Sequence, residues 1–275
     1  AVLAFSEEEG LQHFEECLAN FENESARQTE HWESLIQKAF TPDNDVFSGH
    51  LPSFITEDAL LRKLYLMTTI GCLALRRDNP ISSYGTAFVT LSPNYWTTAS
   101  FLWDMMIAGP FYALLDPDVM RNHIEVWLSV DIRTCLATDY VTGRPLGNWY
   151  AVNSSAIVRL AHDYLRYSGD FNWLEKRIGG RRIIDHLEEH ALMWHEYDRN
   201  GHGLADCGGV INLLECVSTY THEVAAFNAM WVAACRQVAA MHRILGENQD
   251  AARLEKEAQR LLANVMTLYV DGIGY

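Results

Sequence analysis

The sequence contains few positively charged residues. It has 21 Lys and Arg against 36 Asp and Glu among 275 residues, so its formal net charge is −15. A nucleic-acid groove needs clustered cations to neutralise phosphates, and an anionic membrane surface attracts the same kind of patch. The sequence has no such cluster. The composition therefore predicts neither a nucleic-acid nor a membrane partner and favours a neutral, polar one.

Paired cysteine motifs are also missing. No two cysteines have the C-x-x-C spacing of a zinc or redox site. Most of them stand among apolar neighbours, as buried thiols do. We therefore expect free cysteines in a reducing compartment and predict a cytoplasmic location. The six cysteines are Cys17, Cys72, Cys135, Cys207, Cys216 and Cys235.

No apolar run approaches the roughly 20 residues that a membrane-spanning helix needs. The first ten residues, AVLAFSEEEG, turn acidic at Glu7, which is unlike a secretory signal peptide. The sequence does not start with Met, so we expect a segment of a longer polypeptide. Hydrophobic residues make up 49% of the chain, which is enough for one large core or two small ones.

Nearly every periodic stretch repeats apolar residues at helical spacing. In NAMWVAACRQVAAMHRIL, for example, apolar residues from Trp231 to Leu245 recur three or four positions apart, and Gly246 is expected to end the helix. One β-like stretch, residues 84–91, predicts a short strand or an extended loop. The predicted helices cover residues 6–39, 56–77, 97–113, 117–137, 151–168, 171–195, 222–245 and 248–269.

Several predicted helices are apolar on more than one side. In residues 97–113, for example, large apolar side chains are distributed around the whole circumference. Helices of this kind are buried between neighbours. Paired inner and outer helices fit an all-α fold of hairpins, either an (α/α) toroid or an α-solenoid. No repeat of fixed length is present, which disfavours the standard solenoids.

The predicted loop at residues 139–150 leads into a helix with aromatic and amide side chains. Long loops in compact domains are usually functional or disordered, and this composition favours order. A sugar needs an apolar face to stack on and several hydrogen-bonding groups around it. Asn148, Trp149, Tyr150 and Asn153 are therefore candidate substrate-binding residues. The alternative is that Trp149 packs as a hydrophobic staple at the start of the helix.

The segment SPNYWTTASFLWDMM, residues 92–106, repeats this chemistry before another predicted helix. Tyr95, Trp96 and Trp103 accompany a single carboxylate, Asp104. We treat these four residues as further candidates for substrate binding. The alternative for Asp104 is an ordinary carboxylate at a helix N-terminus.

The glycine-rich segment DRNGHGLADCGG begins at Asp198 and partly matches an EF-hand calcium loop. Asp198, Asn200 and Gly203 occupy the first, third and sixth positions of that loop. His202 stands at the fifth position, and Gly209 stands at the twelfth, where a bidentate Glu is required. The pattern therefore favours a glycine-rich turn over a calcium site, and no metal or other cofactor is predicted.

Asp206 and Glu215 lie in stretches with few other charges. A carboxylate with apolar flanks and no cationic neighbour tends to have a raised pKa, which a general acid near neutral pH requires. Both residues are therefore candidate catalytic residues. The alternative is a carboxylate that caps a helix or accepts hydrogen bonds from loop amides. His222 and Glu223 begin the next predicted helix, where Glu223 favours the N-terminus.

Several stretches resemble the helical-toroid glycoside hydrolases, the six-hairpin group that includes trehalases and the processing α-glucosidase/mannosylglycerate hydrolase family. The likeness covers about residues 55–270. It implies a ring of six helical hairpins around a sugar pocket, which is lined by the starts of inner helices and by loops. The stretches are SFLWDMM, LGNWYAVNSSAIV with YSGDFNWLEK, YDRNGHGLADCGG, and HEVAAFNAMWVAACRQVAAMHRILG.

The resemblance also implies roles for individual residues. Asp104 would bind hydroxyls of the reacting sugar, and Trp103 and Tyr95 would shape the pocket. The family's general acid is an Asp in a motif that this sequence does not preserve. Glu215 stands at the corresponding place, and Asp206 is the second candidate. The implied reaction is hydrolysis of a glycosidic bond with inversion, in which a second carboxylate acts as general base.

A ring of six hairpins has twelve helices, whereas this sequence predicts about eight. We therefore expect residues 1–275 to form a single toroid domain or its N-terminal two-thirds, with the general base, the other helices and a β-sandwich elsewhere in a longer chain. Three alternatives stay open. They are a related toroid enzyme (an epimerase, phosphorylase or lyase), a non-catalytic carbohydrate-binding domain, and a helical scaffold that buries its tryptophans.

Overall fold

The computed structural model describes residues 6–89, 99–209 and 221–274. Helix accounts for 61% of the described residues and sheet for little, which confirms the predicted all-α class. The chain forms two compact units, Ala1–Ile70 and Gly71–Tyr275, and each is described by itself. Among the described helices, none combines the length and the apolar character that crossing a bilayer requires.

The elements follow one another along the chain with short connections. The helices are α1 (Glu7–Ala19), α2 (Phe21–Ala39), α3 (Ala59–Ala74), α4 (Leu102–Ile107), α5 (Gly109–Leu115), α6 (Pro117–Leu128), α7 (Asn153–Ser168), α8 (Ile183–Leu192), α9 (Trp194–Tyr197), α10 (Ala225–Ile244) and α11 (Asn248–Val265). Short 3₁₀ turns cover Ile132–Thr134, Phe171–Glu175 and Met266–Leu268. The strands are β1 (Arg76–Asp78), β2 (Thr86–Phe88), β3 (Ala99–Ser100), β4 (Ala137–Asp139), β5 (Pro145–Leu146), β6 (Arg177–Ile178) and β7 (Arg181–Arg182).

The first unit contains α1, α2 and most of α3. The sequence predicted one helix over residues 6–39, but the chain breaks at Asn20, whose Nδ2 donates to the carbonyl of Glu16 at 2.9 Å. Asparagine ends helices readily because its amide competes for backbone hydrogen bonds. The start of α3 is set by Asp58, whose Oδ1 accepts the backbone N–H of Leu60 at 2.8 Å.

In the second unit, the helix predicted at residues 97–113 is divided into α4 and α5. It begins only at Leu102, after β3, and a new helix starts at Gly109. The break has a local cause, Pro110. In a continuous helix its ring would clash with the carbonyl of Met106, and it has no N–H to donate.

The helix predicted at residues 171–195 is also wrong in its first half. A 3₁₀ turn and the β6–β7 hairpin precede α8 there. Gly179 and Gly180 form the two-residue turn of this hairpin with φ of 58° and 86°, a left-handed pair that such a turn requires. The helix predicted at residues 117–137 ends early, at Leu128, because the chain then pairs with its neighbours as β4.

The core of the second unit forms around α7. This helix packs against α4, α5, α6, α8 and α10, and α10 also packs against α8 and α11. Trp127, Trp194 and Trp231 are among its largest fully buried side chains. The extended stretch predicted at residues 84–91 contains β2, which pairs with β1.

The cysteines that the structure describes form no disulfides with one another, as the sequence predicted. Burial raises the pKa of the Cys207 thiol and of the Cys235 thiol to about 12. Because the thiolate is the reactive form of cysteine, these two side chains are inert packing groups.

Candidate functional site

The three-stranded sheet brings two of the predicted sugar-binding segments to one edge. The central strand β4 has β3 and β5 antiparallel on its two sides, so β3 and β5 run parallel to each other. In the register, Ser100 faces Thr138, which faces Pro145. Because neighbouring strands lie about 4.8 Å apart, the segments that start at Phe101 and Gly147 leave the sheet roughly 10 Å from each other.

Trp103 and Asp104 follow the first of these strands. Both side chains are half-buried in the first turn of α4. The Asp104 carboxylate is close to Tyr112: burial, then the Cys72 thiol and then the Asp104 charge raise the pKa of that hydroxyl above its usual range. Asp104 is thus partly accessible beside the core, and its role as a sugar ligand stays a prediction.

The segment after β5 turns sharply at Gly147. This residue has φ of 71°, and an added Cβ would lie 3.0 Å from Cβ of Leu136, so the turn requires glycine. Beyond the turn, Asn148 is exposed, Trp149 is half-buried and Tyr150 is buried. The turn therefore presents an amide and an indole at the edge of the sheet.

Asn153 lies in the interior of the unit. Its side chain is 1% exposed, and Nδ2 donates to the carbonyls of Cys135 and Leu136 at 3.1 and 3.2 Å. These bonds tie the start of α7 to the segment that enters β4. The burial supports a positioning role for Asn153 instead of the predicted contact with a sugar.

Trp149 stacks on Tyr197, the last residue of α9. The two ring centroids lie 4.2 Å apart with 17° between the planes, and Tyr197 in turn lies 6.4 Å from the buried Trp231. Nε1 of Trp149 is buried, and no described residue accepts a hydrogen bond from it. A buried donor without a partner costs about 1–3 kcal/mol, so an oxygen acceptor is favoured at this position.

The glycine-rich loop that follows Tyr197 is ordered by bonds from side chains to its own backbone. Oδ2 of Asp198 accepts from the N–H of Gly203, and Oδ1 of Asn200 accepts from the N–H of His202, both at 3.0 Å. A calcium loop would direct such oxygens at the metal. Here they build the turn that the sequence predicted.

Asp206 brings this loop back to the aromatic stack. Its backbone N–H donates to the carbonyl of Tyr197 at 3.0 Å. Its carboxylate lies against the imidazole of His222, whose Nδ1 is 3.1 Å from Oδ1 and 3.3 Å from Oδ2. The Asp206 side chain is 31% exposed and the His222 side chain 69% exposed. The pair is therefore open to solvent beside the stacked rings.

The pKa of Asp206 is lowered, so the raised value that the sequence predicted is wrong. Burial acts to raise this pKa, but the N–H of Gly208 at 2.8 Å and the ring of His222 stabilise the charged form and outweigh it, with a smaller contribution from Arg199. Asp206 is consequently ionised at neutral pH. It can accept hydrogen bonds and orient an imidazole, but it does not carry the proton that a general acid needs.

The backbone of His222 is held in an uncommon conformation. Its φ is 63°, and left-handed backbone in a residue other than glycine costs of the order of 1–3 kcal/mol. Two backbone hydrogen bonds maintain it, from the N–H of Cys207 at 2.9 Å and to the carbonyl of Gly208 at 2.7 Å. Strain of this kind concentrates at functional sites because the surrounding structure must enforce it.

These residues together offer a stacked aromatic pair, an ionised carboxylate and an exposed imidazole. No known family model matches this chain. A comparison with characterised proteins gave no match either. The function is therefore inferred from the chemistry of the site.

Three of the predicted site residues, Tyr95, Trp96 and Glu215, lie outside the described residues. Their roles stay predictions. The structure places Asp206 with Trp149 through Tyr197, and it places Asp104 and Asn148 on segments that leave one sheet edge.

The sequence reasoning missed Tyr197 and the role of His222. Tyr197 directly precedes the glycine-rich loop, and an aromatic residue at a loop entrance was a signal that could have identified it. His222 stood beside Glu223 and was interpreted only as part of a helix start. Its carboxylate partner is 16 residues away in the sequence, and no local pattern connects the two.

Proposed function

We propose that this chain is a carbohydrate-active domain of the helical-toroid type that hydrolyses a glycosidic bond. The observation that carries the proposal is the stack of Trp149 on Tyr197 beside the solvent-open Asp206–His222 pair. The mostly helical second unit, with α7 surrounded by other helices, fits a ring of hairpins that further parts of a longer polypeptide would complete.

The chemistry of the site suits a sugar better than a charged ligand. A pyranose ring presents apolar C–H groups that stack on an indole, and its hydroxyls donate to carboxylates and accept from amides and indole N–H groups. Trp149 supplies the face and the unpartnered Nε1, and Asn148 and Asp206 supply exposed polar groups. The net charge of −15 opposes binding of an anionic polymer.

The proposed reaction is hydrolysis with inversion, which follows from the resemblance to the six-hairpin enzymes. Glu215 donates a proton to the leaving oxygen, and a base activates water on the opposite face of the sugar. In inverting enzymes the two catalytic groups stand roughly 6.5–9.5 Å apart to admit this water. The ionised state of Asp206 leaves Glu215 as the preferred proton donor of the two candidates.

The test begins with binding. Wild type is titrated by calorimetry with maltose, cellobiose, trehalose, mannobiose and lactose, and any disaccharide that binds is assayed for hydrolysis. Trp149→Ala is expected to weaken binding about tenfold, which corresponds to about 1.4 kcal/mol of lost stacking. Trp32→Ala, which removes another half-buried tryptophan from α2, is the matched control and should bind as wild type does.

Glu215→Gln should lower turnover by about two to four orders of magnitude while binding is retained. Unchanged turnover would remove Glu215 from the mechanism. Binding without any hydrolysis by wild type would favour the second candidate, a non-catalytic carbohydrate-binding domain, which the same aromatic stack supports. Absence of binding and of hydrolysis across the panel would refute both.

A further inference from the structure

We infer that His222, oriented by Asp206, is the general base that activates the attacking water. This inference rests on the proposed glycoside hydrolysis, for which the base was expected elsewhere in a longer chain. It assigns that role to a pair of described residues at the aromatic stack.

The contact with Asp206 determines which nitrogen of His222 carries the proton. Because the carboxylate is ionised and lies 3.1 Å from Nδ1, the hydrogen of the neutral imidazole resides on Nδ1. The lone pair is then on Nε2. A carboxylate that fixes the tautomer of a histidine also stabilises the imidazolium that forms when Nε2 accepts a proton.

The exposure of the ring makes Nε2 available to a water molecule. The His222 side chain is 69% exposed, and no described residue bonds to Nε2. The backbone is nevertheless held by its bonds with Cys207 and Gly208. The imidazole is thus accessible on a restrained backbone, which is the arrangement that a general base needs.

Other histidines of the second unit lack this combination. His123 and His190 are buried, and His242 is 2% exposed. His202 is 66% exposed and pairs with Glu223 at 3.3 Å, but that Glu223 oxygen also accepts from Asn200. Only the partner of His222 is also bonded, through its backbone, to the stacked Tyr197 among these histidines of the described chain.

In the reaction, the oxygen of water forms a bond with the anomeric carbon as the bond from that carbon to the leaving oxygen breaks. The proton of the water passes to Nε2 of His222, and Asp206 balances the charge of the imidazolium. The leaving oxygen takes its proton from the general acid of the proposed mechanism, Glu215. Two protons are therefore transferred, no redox partner is needed, and solvent returns both residues to their starting states.

The experiment separates base from acid by the leaving group. Disaccharides need a proton donor for their leaving oxygen, whereas glycosyl fluorides release fluoride with little acid assistance. The α- and β-fluorides of glucose, mannose and galactose are assayed together with the disaccharide panel. Variants are His222→Gln, His222→Asn and Glu215→Gln, with His202→Gln as the matched control because His202 is a similarly exposed loop histidine paired with a carboxylate.

Both His222 variants are expected to lose about 10²–10⁴-fold in turnover on fluorides and disaccharides alike. Asn tolerates left-handed backbone, so His222→Asn tests the chemistry even if His222→Gln fails to fold. Glu215→Gln should lose turnover on disaccharides and retain most of it on fluorides. His202→Gln should match wild type on both.

Wild-type hydrolysis with His222→Asn equal to His202→Gln on fluorides would overturn the assignment and leave the proposed function standing. A loss in the His222 variants that is confined to disaccharides would also overturn it, because that result identifies an acid. A wild-type chain that hydrolyses neither class of substrate overturns the proposed function, and the base with it.

Discussion

Nδ1 of His242 lies 2.7 Å from Oε2 of Glu247, across the turn that joins α10 to α11. On its other side, Nε2 of His242 forms an ion pair with Glu188 of α8 at 2.9 Å. Each carboxylate is held in turn by an arginine, Glu247 by Arg182 at 2.6 Å and Glu188 by Arg253 at 2.7 Å. This network connects three helices through one buried imidazole.

The network makes part of the stability dependent on pH. Burial lowers the pKa of His242, but Glu188 and Glu247 together outweigh it and the net pKa is raised. Because the folded pKa exceeds the unfolded value of about 6.5, the stabilisation is complete below that pH and is lost as the pH rises through the folded pKa. The pKa values of both carboxylates are lowered, so their contribution is lost only in more acidic solution.

We predict that His242→Gln lowers the melting temperature most at about pH 5–6 and progressively less above about pH 7. The loss at the acidic end corresponds to about 1.5–3 kcal/mol, the value of one charge-assisted hydrogen bond. Melting curves by circular dichroism across this pH range provide the measurement. His31→Gln, on the exposed side of α2, should melt as wild type does throughout. A deficit in His242→Gln that is equal at every pH would contradict the charged network.

His123 should respond to pH in the opposite direction. It is fully buried with Nε2 3.0 Å from Oγ of Ser100, and burial lowers its pKa to about 3. Between about pH 6.5 and that value, the unfolded chain binds a proton that the folded chain does not. Stability therefore falls by about 1.4 kcal/mol for each unit of acidification in this range.

His123→Gln removes this one proton. We predict that the difference in unfolding free energy between wild type and the variant shrinks by about 1.4 kcal/mol per unit from pH 6 to pH 4. Urea denaturation at pH 6, 5 and 4 measures it. Parallel pH profiles for the two proteins would show that His123 is protonated in the folded state.

Two helical glycines should respond oppositely to alanine. An added Cβ at Gly109 would lie 3.0 Å from Oδ2 of Asp163 and 3.3 Å from Leu160, and Asp163 is buried and bound to Arg159. Because this carboxylate has little room to move, Gly109→Ala should destabilise the protein by about 1–3 kcal/mol.

Gly71 of α3 provides the matched control, since no described atom lies within 4 Å of its added Cβ. Gly71→Ala should stabilise the protein by about 0.5–1 kcal/mol through the higher helix propensity of alanine. Thermal unfolding of both variants beside wild type gives the comparison. Equal effects of the two substitutions would show that the Gly109 contact is not restrictive.

Several features of the fold could be predicted from local signals. The helices that became α7, α10 and α11 were predicted to within a few residues, because apolar periodicity marks their length and Gly169 and Gly246 end two of them in left-handed conformation. Predictions failed where a local signal was overlooked, as at Pro110. They also failed where pairing with distant strands changed the structure, as in β4.

The candidate site was predictable in its parts but not in its assembly. The sequence identified Trp149 and Asp206 as unusual residues in ordered loops. It did not identify Tyr197, which connects them, and it assigned Asp206 the wrong direction of pKa shift. The reason is that stacking partners and charged neighbours are determined by distance in space.

By itself, the sequence determined the helical class, the acidic surface and the turns, because composition and periodicity act over a few residues. Only the tertiary structure decided that His222 meets Asp206 and that His242 lies between two carboxylates. Both contacts join segments that no periodicity relates, and the protonation of an imidazole depends on the charges and the burial that the completed packing places around it.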